Sequence, residues 1–221
     1  MPRAHLRRVS EFPYHVTSRV NNKDWFSVPL EMVWEIFCEK LAIVTEDYGA
    51  RVSDFVLMSN HFHMLLTTPN KNLDSIMQYL LREFSRTLGP ISGRINHIFG
   101  GRYKSSLIYE PIYYAHAFKY VYRNPVVAQM VDRVEDYPFS TFRYWRGARP
   151  TPFPLHAPPE AITRFVPVDR DASLLWLNSA YNHNQAELIS RSLKRSTFAF
   201  TKRKNDQPVV KELLSEFGYQ K

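Results

Sequence analysis

Residues 51–67, RVSDFVLMSNHFHMLLT, decide how this chain folds. Two β-rich runs, 51–57 and 61–67, flank the turn-prone Ser59 and Asn60, a pattern that predicts a hairpin or adjacent antiparallel strands. In the second run a period of two puts His61 and His63 on one face, while Phe62, Met64 and Leu66 face the other way. Two neutral imidazoles so placed can bind one divalent ion, and such an ion can polarise a phosphate oxygen. The alternative is a pair of histidines on a solvated sheet face.

Upstream, YHVTSRV at 14–20 is rich in β-formers and runs into NNKDW, whose Asn and Asp residues suit a turn. Between Pro29 and Tyr48 the apolar residues Met32, Val33, Ile36, Phe37, Leu41 and Val44 recur at helical spacing, predicting a long amphipathic helix ended near Gly49. Cys38, the single cysteine, falls within it and reads as a core residue. Downstream of the hairpin, Asn72 or Asp74 can cap a helix whose apolar face is Leu73, Ile76, Met77, Leu80, Leu81, Phe84 and Leu88. Gly89 and Pro90 are expected to stop it.

ISGRINHIFGGRYKSSLIYE, 91–110, reads as a basic, glycine-punctuated loop entering a short strand near 103–109. Pro111 can then open a helix over about 112–123, closed by Asn124 and Pro125. The order strand, helix, strand, strand, helix, short strand, helix predicts an α+β fold, an antiparallel or mixed sheet with helices on one face, and not a doubly wound fold. RGARPTPFPLHAPPE, 146–160, holds five prolines in fifteen residues and suggests an extended linker or wrapping arm. Short helices are expected at 172–179, 185–193 and 210–217. The expected organisation is a main domain over 8–145 and an arm with a basic C-terminal extension over 146–221.

The 221 residues are 44% hydrophobic and 14% aromatic, enough for a substantial core. Lys and Arg outnumber Asp and Glu by 29 to 21, giving a formal charge of +8 that favours a polyanion partner, nucleic acid or an anionic membrane surface. No stretch approaches the roughly 18 apolar residues of a membrane span. The early arginines have no apolar run behind them, unlike a secretory signal. The sequence therefore points to a soluble intracellular protein.

Tyr120 and Asn124 stand four apart in YVYRN, on one helix face. A phenol with a free pKa of about 10 is a poor nucleophile unless charge nearby activates it or its target. Packing against the sheet and capping before Pro125 are their plain structural roles. The chain has 13 tyrosines, and Tyr113, Tyr114 and Tyr122 compete locally. Tyr122 points about 200° away from Tyr120 and is the fallback if the helix register is misread. Arg94, His97, Arg102 and Lys104 could meet phosphates, and Tyr103 could stack on an unpaired base. Arg3, Arg7 and Arg8, and Arg191, Lys194, Arg195, Lys202, Arg203 and Lys204, form two further basic clusters, either DNA contacts or solvated surface.

Four segments, SNHFHMLL at 59–66, FGGRYKSSLI at 99–108, YVYRNPVVA at 120–128 and DYPFSTF at 136–142, resemble in order and spacing the HUH-type tyrosine transposases of the IS200/IS605 class, and specifically the REP-associated tyrosine transposases. The resemblance covers about residues 8–145. It implies a ferredoxin-like antiparallel sheet, Mg²⁺ or Mn²⁺ held by His61, His63 and Asn124, and Tyr120 as the nucleophile. Insertion-sequence relatives often carry glutamine at the third ligand position; Asn124 followed by Pro125 is similar to the REP-associated branch. The implied reaction cleaves single-stranded or hairpin DNA, especially short extragenic palindromes, through a 5'-phosphotyrosine link. It allows either a homodimer or a monomer, and implies a cytoplasmic, nucleoid-associated bacterial protein. The competing readings are a catalytically silent hairpin-binding regulator, an RNA-binding module, and a metallohydrolase that uses water as nucleophile.

Overall fold

The computed structural model describes residues 8–94, 97–147, 150–201 and 203–218. The decisive stretch forms the expected hairpin. Strand β2 (Arg51–Leu57) pairs antiparallel with β3 (His61–Thr67), placing Leu57 opposite Phe62 and Val52 opposite Leu66, with a register shift between Val52 and Asp54. β1 (Tyr14–Arg19) pairs antiparallel with the other edge of β3, and β4 (Lys104–Leu107) pairs antiparallel with β1. The strand order is β2-β3-β1-β4, so both histidine-bearing strands are interior.

The sheet separates two cores. Tyr14, Val16, Phe62, Met64 and Leu66 point to one face and meet α1 (Leu30–Glu46) and α2 (Leu73–Ser92). Phe62, Met64 and Leu66 are fully buried there, each stabilising the fold by roughly 1.5–3 kcal/mol. The expected face of helices is thus made by α1 and α2. On the opposite face Val56 and Leu65 join a second core under α3 (Pro111–Val127). This is an α+β fold with a four-stranded antiparallel sheet and flanking helices, consistent with the ferredoxin-like HUH nuclease architecture, and it carries a helical C-terminal extension. Among the described residues no helix is long and apolar enough to cross a membrane.

Two expected helix ends lie elsewhere. α2 does not stop at Gly89 and Pro90 but runs to Ser92, because buried Leu88 keeps its last turns on the core and Gly93, at φ 64°, supplies the left-handed cap. α3 likewise continues through Asn124 and Pro125 to Val127. A proline forfeits one helical donor. Here the neighbouring bonds persist, with Ala128 N–H donating to Asn124 C=O at 2.9 Å, and the Pro125 ring is itself buried.

Beyond α3 the chain folds back on both cores. Phe153 is buried against the first, and His156 N–H donates to Val52 C=O at 2.8 Å along the edge of the sheet. α4 (Glu160–Thr163) was not expected from the sequence. α5 (Arg170–Asn178), α6 (His183–Ser192) and α7 (Gln207–Ser215) occupy the three stretches where short helices were expected. Their Leu177, Leu188, Ile189 and Leu213 enter the second core. Residues 196–198 run parallel to the free edge of β4, with Leu107 N–H donating to Ser196 C=O at 2.9 Å and Phe198 N–H to Leu107 C=O at 2.8 Å. That pairing seats α6 beside the end of α3.

Candidate active site

The helix-α3 face of the interior strands opens into a cleft of about 770 Å³ lined by His15, His61, His63, Tyr120 and Asn124. Strand pairing explains why these side chains meet. Arg19 lies opposite His61 and Thr17 opposite His63, so the alternation of β1 brings His15, Thr17 and Arg19 to the same face as the two histidines of β3. Lys104 sits opposite Thr17 from β4.

The imidazoles are oriented by hydrogen bonds. Asn60 Oδ1 lies 2.7 Å from His61 Nδ1, and as an amide oxygen it can only accept, so His61 carries its proton on Nδ1 and leaves Nε2 bare. His63 Nδ1 lies 2.8 Å from His15 Nε2, with the two rings stacked. His63 Nε2 is buried without any hydrogen-bond partner. Burial holds all three imidazoles neutral. His61 is pushed down to about 4 by burial and then by the Arg19 charge; His15 is pushed down to about 3 by burial and then by His61. His63 lies well below the usual imidazole range, again by burial first. Neutral rings with bare Nε2 atoms are the form that ligates metals.

Among the described residues no cluster of three or more His, Cys, Asp or Glu side chains is arranged to hold a metal. The candidate set here is two imidazoles and the Asn124 amide, and the unpartnered His63 Nε2 fits a ligand atom in search of a cation. Asn124 Nδ2 donates to Tyr120 C=O at 2.7 Å, which directs the amide nitrogen to its own helix. Its oxygen has no such constraint from that bond. The Tyr120 ring stands edge-on to His63, with centroids 5.5 Å apart and planes at 90°, and is also perpendicular to His15 at 6.2 Å.

The three local competitors, Tyr113, Tyr114 and Tyr122, are engaged elsewhere. Tyr122 is buried and donates its hydroxyl to Asp54 at 2.6 Å, away from the cleft, and Tyr114 donates to the same carboxylate at 3.1 Å. Tyr113 packs its ring on Phe198 and Phe200.

Of the basic residues singled out in the sequence, Arg102, Lys104 and Lys194 line the cleft. Lys194 comes from just beyond α6, so the C-terminal extension forms one wall. Arg102 also pairs with Asp74. Tyr103 is not presented as a stacking surface: it is buried and donates its hydroxyl to Asp74 at 2.6 Å while accepting from Arg8 at 2.9 Å. Arg94 is paired with Asp24 and His97 is exposed. Arg191 pairs with Asp206 at 2.7 Å and, with exposed Arg203 and Lys204, lines a separate concavity of about 540 Å³. Arg195 is exposed. Arg3, Arg7 and Lys202 lie outside the described residues. The sequence reading missed His15, Arg19 and Lys23, all of which line the cleft. For His15 and Arg19 the signal was present in the period-two alternation of YHVTSR, but only the register with β3 says which face is the cleft.

A histidine pair on an interior strand, with a tyrosine on the helix that covers it, is the arrangement that the resemblance to the HUH single-tyrosine (Y1) proteins implied. No family model matches the chain. It is similar to a REP-associated tyrosine transposase of Escherichia coli (strain K12), with 26% identity over 125 residues that make up 56% of this chain and 73% of that protein. Its fold matches a solved structure of a REP-associated tyrosine transposase bound to a REP hairpin, with a TM-score of 0.58 and 22% identity, covering 68% of this chain and 89% of that one. The sequence likeness supports the HUH/Y1 superfamily, and the structural likeness shows a shared fold.

Proposed function

We propose that the protein is a metal-dependent endonuclease and strand transferase of single-stranded or hairpin DNA, of the REP-associated tyrosine transposase type, with Tyr120 as nucleophile. The observation that carries this reading is the edge-on placement of Tyr120 5.5 Å from His63, in the same cleft as His61 and Asn124. His61 Nε2, His63 Nε2 and the Asn124 amide oxygen would hold Mg²⁺ or Mn²⁺. When bound, the ion polarises the scissile phosphate and eases negative charge on it.

The residues of the chain do the rest. The Tyr120 phenol oxygen bonds to phosphorus as the bond from phosphorus to the 3'-oxygen breaks. The phenol proton passes to water and the released 3'-oxygen takes one, leaving a 5'-phosphotyrosine and a free 3'-OH. The covalent ester retains the bond energy, so a 3'-OH can attack it and restore Tyr120. Asn60, whose amide oxygen can only accept, holds His61 in the ligating tautomer, and His63 takes the same tautomer when its Nδ1–H donates to His15 Nε2. Arg19, Lys104 and Lys194 line the cleft with positive charge suited to the phosphates on either side of the cut. A short extragenic palindrome is the substrate type the resemblance suggests.

The reading is tested by incubating the protein with Mn²⁺ and a hairpin DNA bearing unpaired flanks, and resolving the products by denaturing electrophoresis. Cutting that is abolished by chelation and by His61→Ala and His63→Ala is expected. Binding of the hairpin with no cutting in any divalent ion would favour the silent regulator.

A further inference from the structure

We propose that Trp25 is a stacking platform for one unpaired nucleobase at the rim of the cleft, a subsite for the single-stranded flank of the DNA. The proposal rests on the nucleic-acid reading above and specifies how that site holds its substrate.

Trp25 is 74% exposed, and the backbone on both sides of it is fixed. Phe26, its neighbour, is buried in the first core and donates its N–H to Ser59 C=O at 2.9 Å. Asp24, on the other side, pairs with Arg94 and donates its N–H to Asn21 C=O at 3.1 Å. The preceding turn is an unusual one. Asn22 and Lys23 both adopt left-handed backbone, at φ 55° and 62°, which asparagine tolerates but which costs energy for Lys23. Gly100 is pressed against this turn so closely that a Cβ there would stand 3.1 Å from Asn21 Cα. A loop under strain and clamped at several points displays a large aromatic ring to solvent at a set position, and strain of that kind is characteristic of functional segments.

The clamp also ties the ring to the chemistry. Asn60 donates from Nδ2 to Lys23 C=O at 2.9 Å and accepts from His61 through Oδ1 at 2.7 Å, so one side chain bridges the Trp25 turn and a candidate metal ligand. Asn21, Asn22 and Lys23 line the cleft. Two residues span at most about 7 Å, which puts Trp25 at its edge. The adjacent wall offers Arg19, Lys23 and Lys104 for phosphates. A cationic track beside an exposed indole is the combination that holds single strands, since every base has a face to stack. Tyr103, which the sequence suggested for this role, is buried and bonded to Asp74, so the exposed Trp25 takes its place.

Two fluorescein-labelled hairpins with the same stem, one blunt and one with unpaired flanks, would be titrated without divalent metal, reading anisotropy and tryptophan emission together. The wild type is expected to prefer the flanked hairpin and to lose emission on binding it. Trp25→Ala should remove that quenching and weaken flanked binding by about 5- to 150-fold while leaving the blunt hairpin unchanged, and Trp25→Phe should restore much of the affinity. Equal binding of the flanked hairpin by wild type and Trp25→Ala would overturn the subsite alone and leave the cleavage reading standing. Failure of the wild type to bind either hairpin would overturn both.

Discussion

His63 meets β1 through one nitrogen and leaves the other buried and unpartnered, and that asymmetry is the most informative single-residue feature of the molecule. The His-x-His pair was legible because strand periodicity puts alternate residues on one face whatever lies beyond. His15 was not legible as its partner, because a neighbouring strand can be read for its faces but not for its register. If His15 accepts from His63 Nδ1–H, then His15→Ala leaves that donor buried without an acceptor and loosens the ring. Calorimetric titration with Mn²⁺ should show affinity lowered by about 10- to 100-fold, with circular dichroism unchanged. Unaltered affinity would show that His15 only fills space. The absence of Tyr122 from the cleft also follows from residue-scale chemistry: Asp54 is buried, and Tyr122, Tyr114 and Ser53 supply its hydrogen bonds.

At the scale of elements, α3 carries both Tyr120 and Asn124, and its placement depends on that buried carboxylate. Asp54 on β2 takes Tyr122 and Tyr114, about two turns apart on α3, while Thr141 from the segment after it meets the Tyr122 hydroxyl. Tyr122→Phe should therefore lower stability in urea unfolding by about 1–3 kcal/mol, since a buried acceptor loses a donor. A loss near zero would mean that water or a rotated Thr141 replaces it. The end of α3 was misplaced from sequence because Asn124-Pro125 has the form of a stop, whereas tertiary packing buries the proline ring and carries the helix one turn further. Conversely, α5, α6 and α7 were visible in their apolar spacing, but nothing local revealed that residues 196–198 would line up along β4 and bring Lys194 to the cleft. If Lys194 meets a phosphate, Lys194→Ala should weaken hairpin binding and reduce the slope of log affinity against log salt by about one. An unchanged slope would return Lys194 to the solvated surface.

Across the whole molecule, two cores share one sheet, and burying imidazoles in the second has a consequence for stability. His15, His61 and His116 are all pushed by burial to about 3–4, and His63 also lies low. Their unfolded values are about 6.5, so on acidification the unfolded chain takes up protons that the folded chain refuses. Stability must then be greatest above about pH 6.5 and fall as the pH drops through 6 and 5. Asp54, raised by burial, works in the opposite sense, one carboxyl against four imidazoles. Urea unfolding of chelator-treated protein should lose at least about 2 kcal/mol between pH 7 and pH 5, and a flat profile would mean that these rings are hydrated in solution. A single-tyrosine strand transferase must form a covalent bond to DNA in this cleft. The direct measurement is a 3'-labelled hairpin with unpaired flanks incubated with Mn²⁺ and wild-type protein or Tyr120→Phe, followed by denaturation and a search for label on the protein. The 3' label is needed because a 5'-phosphotyrosine retains the downstream fragment. A metal-dependent adduct present in the wild type and absent from Tyr120→Phe is the predicted result; cleavage with no adduct, or an adduct that survives the substitution, would contradict it.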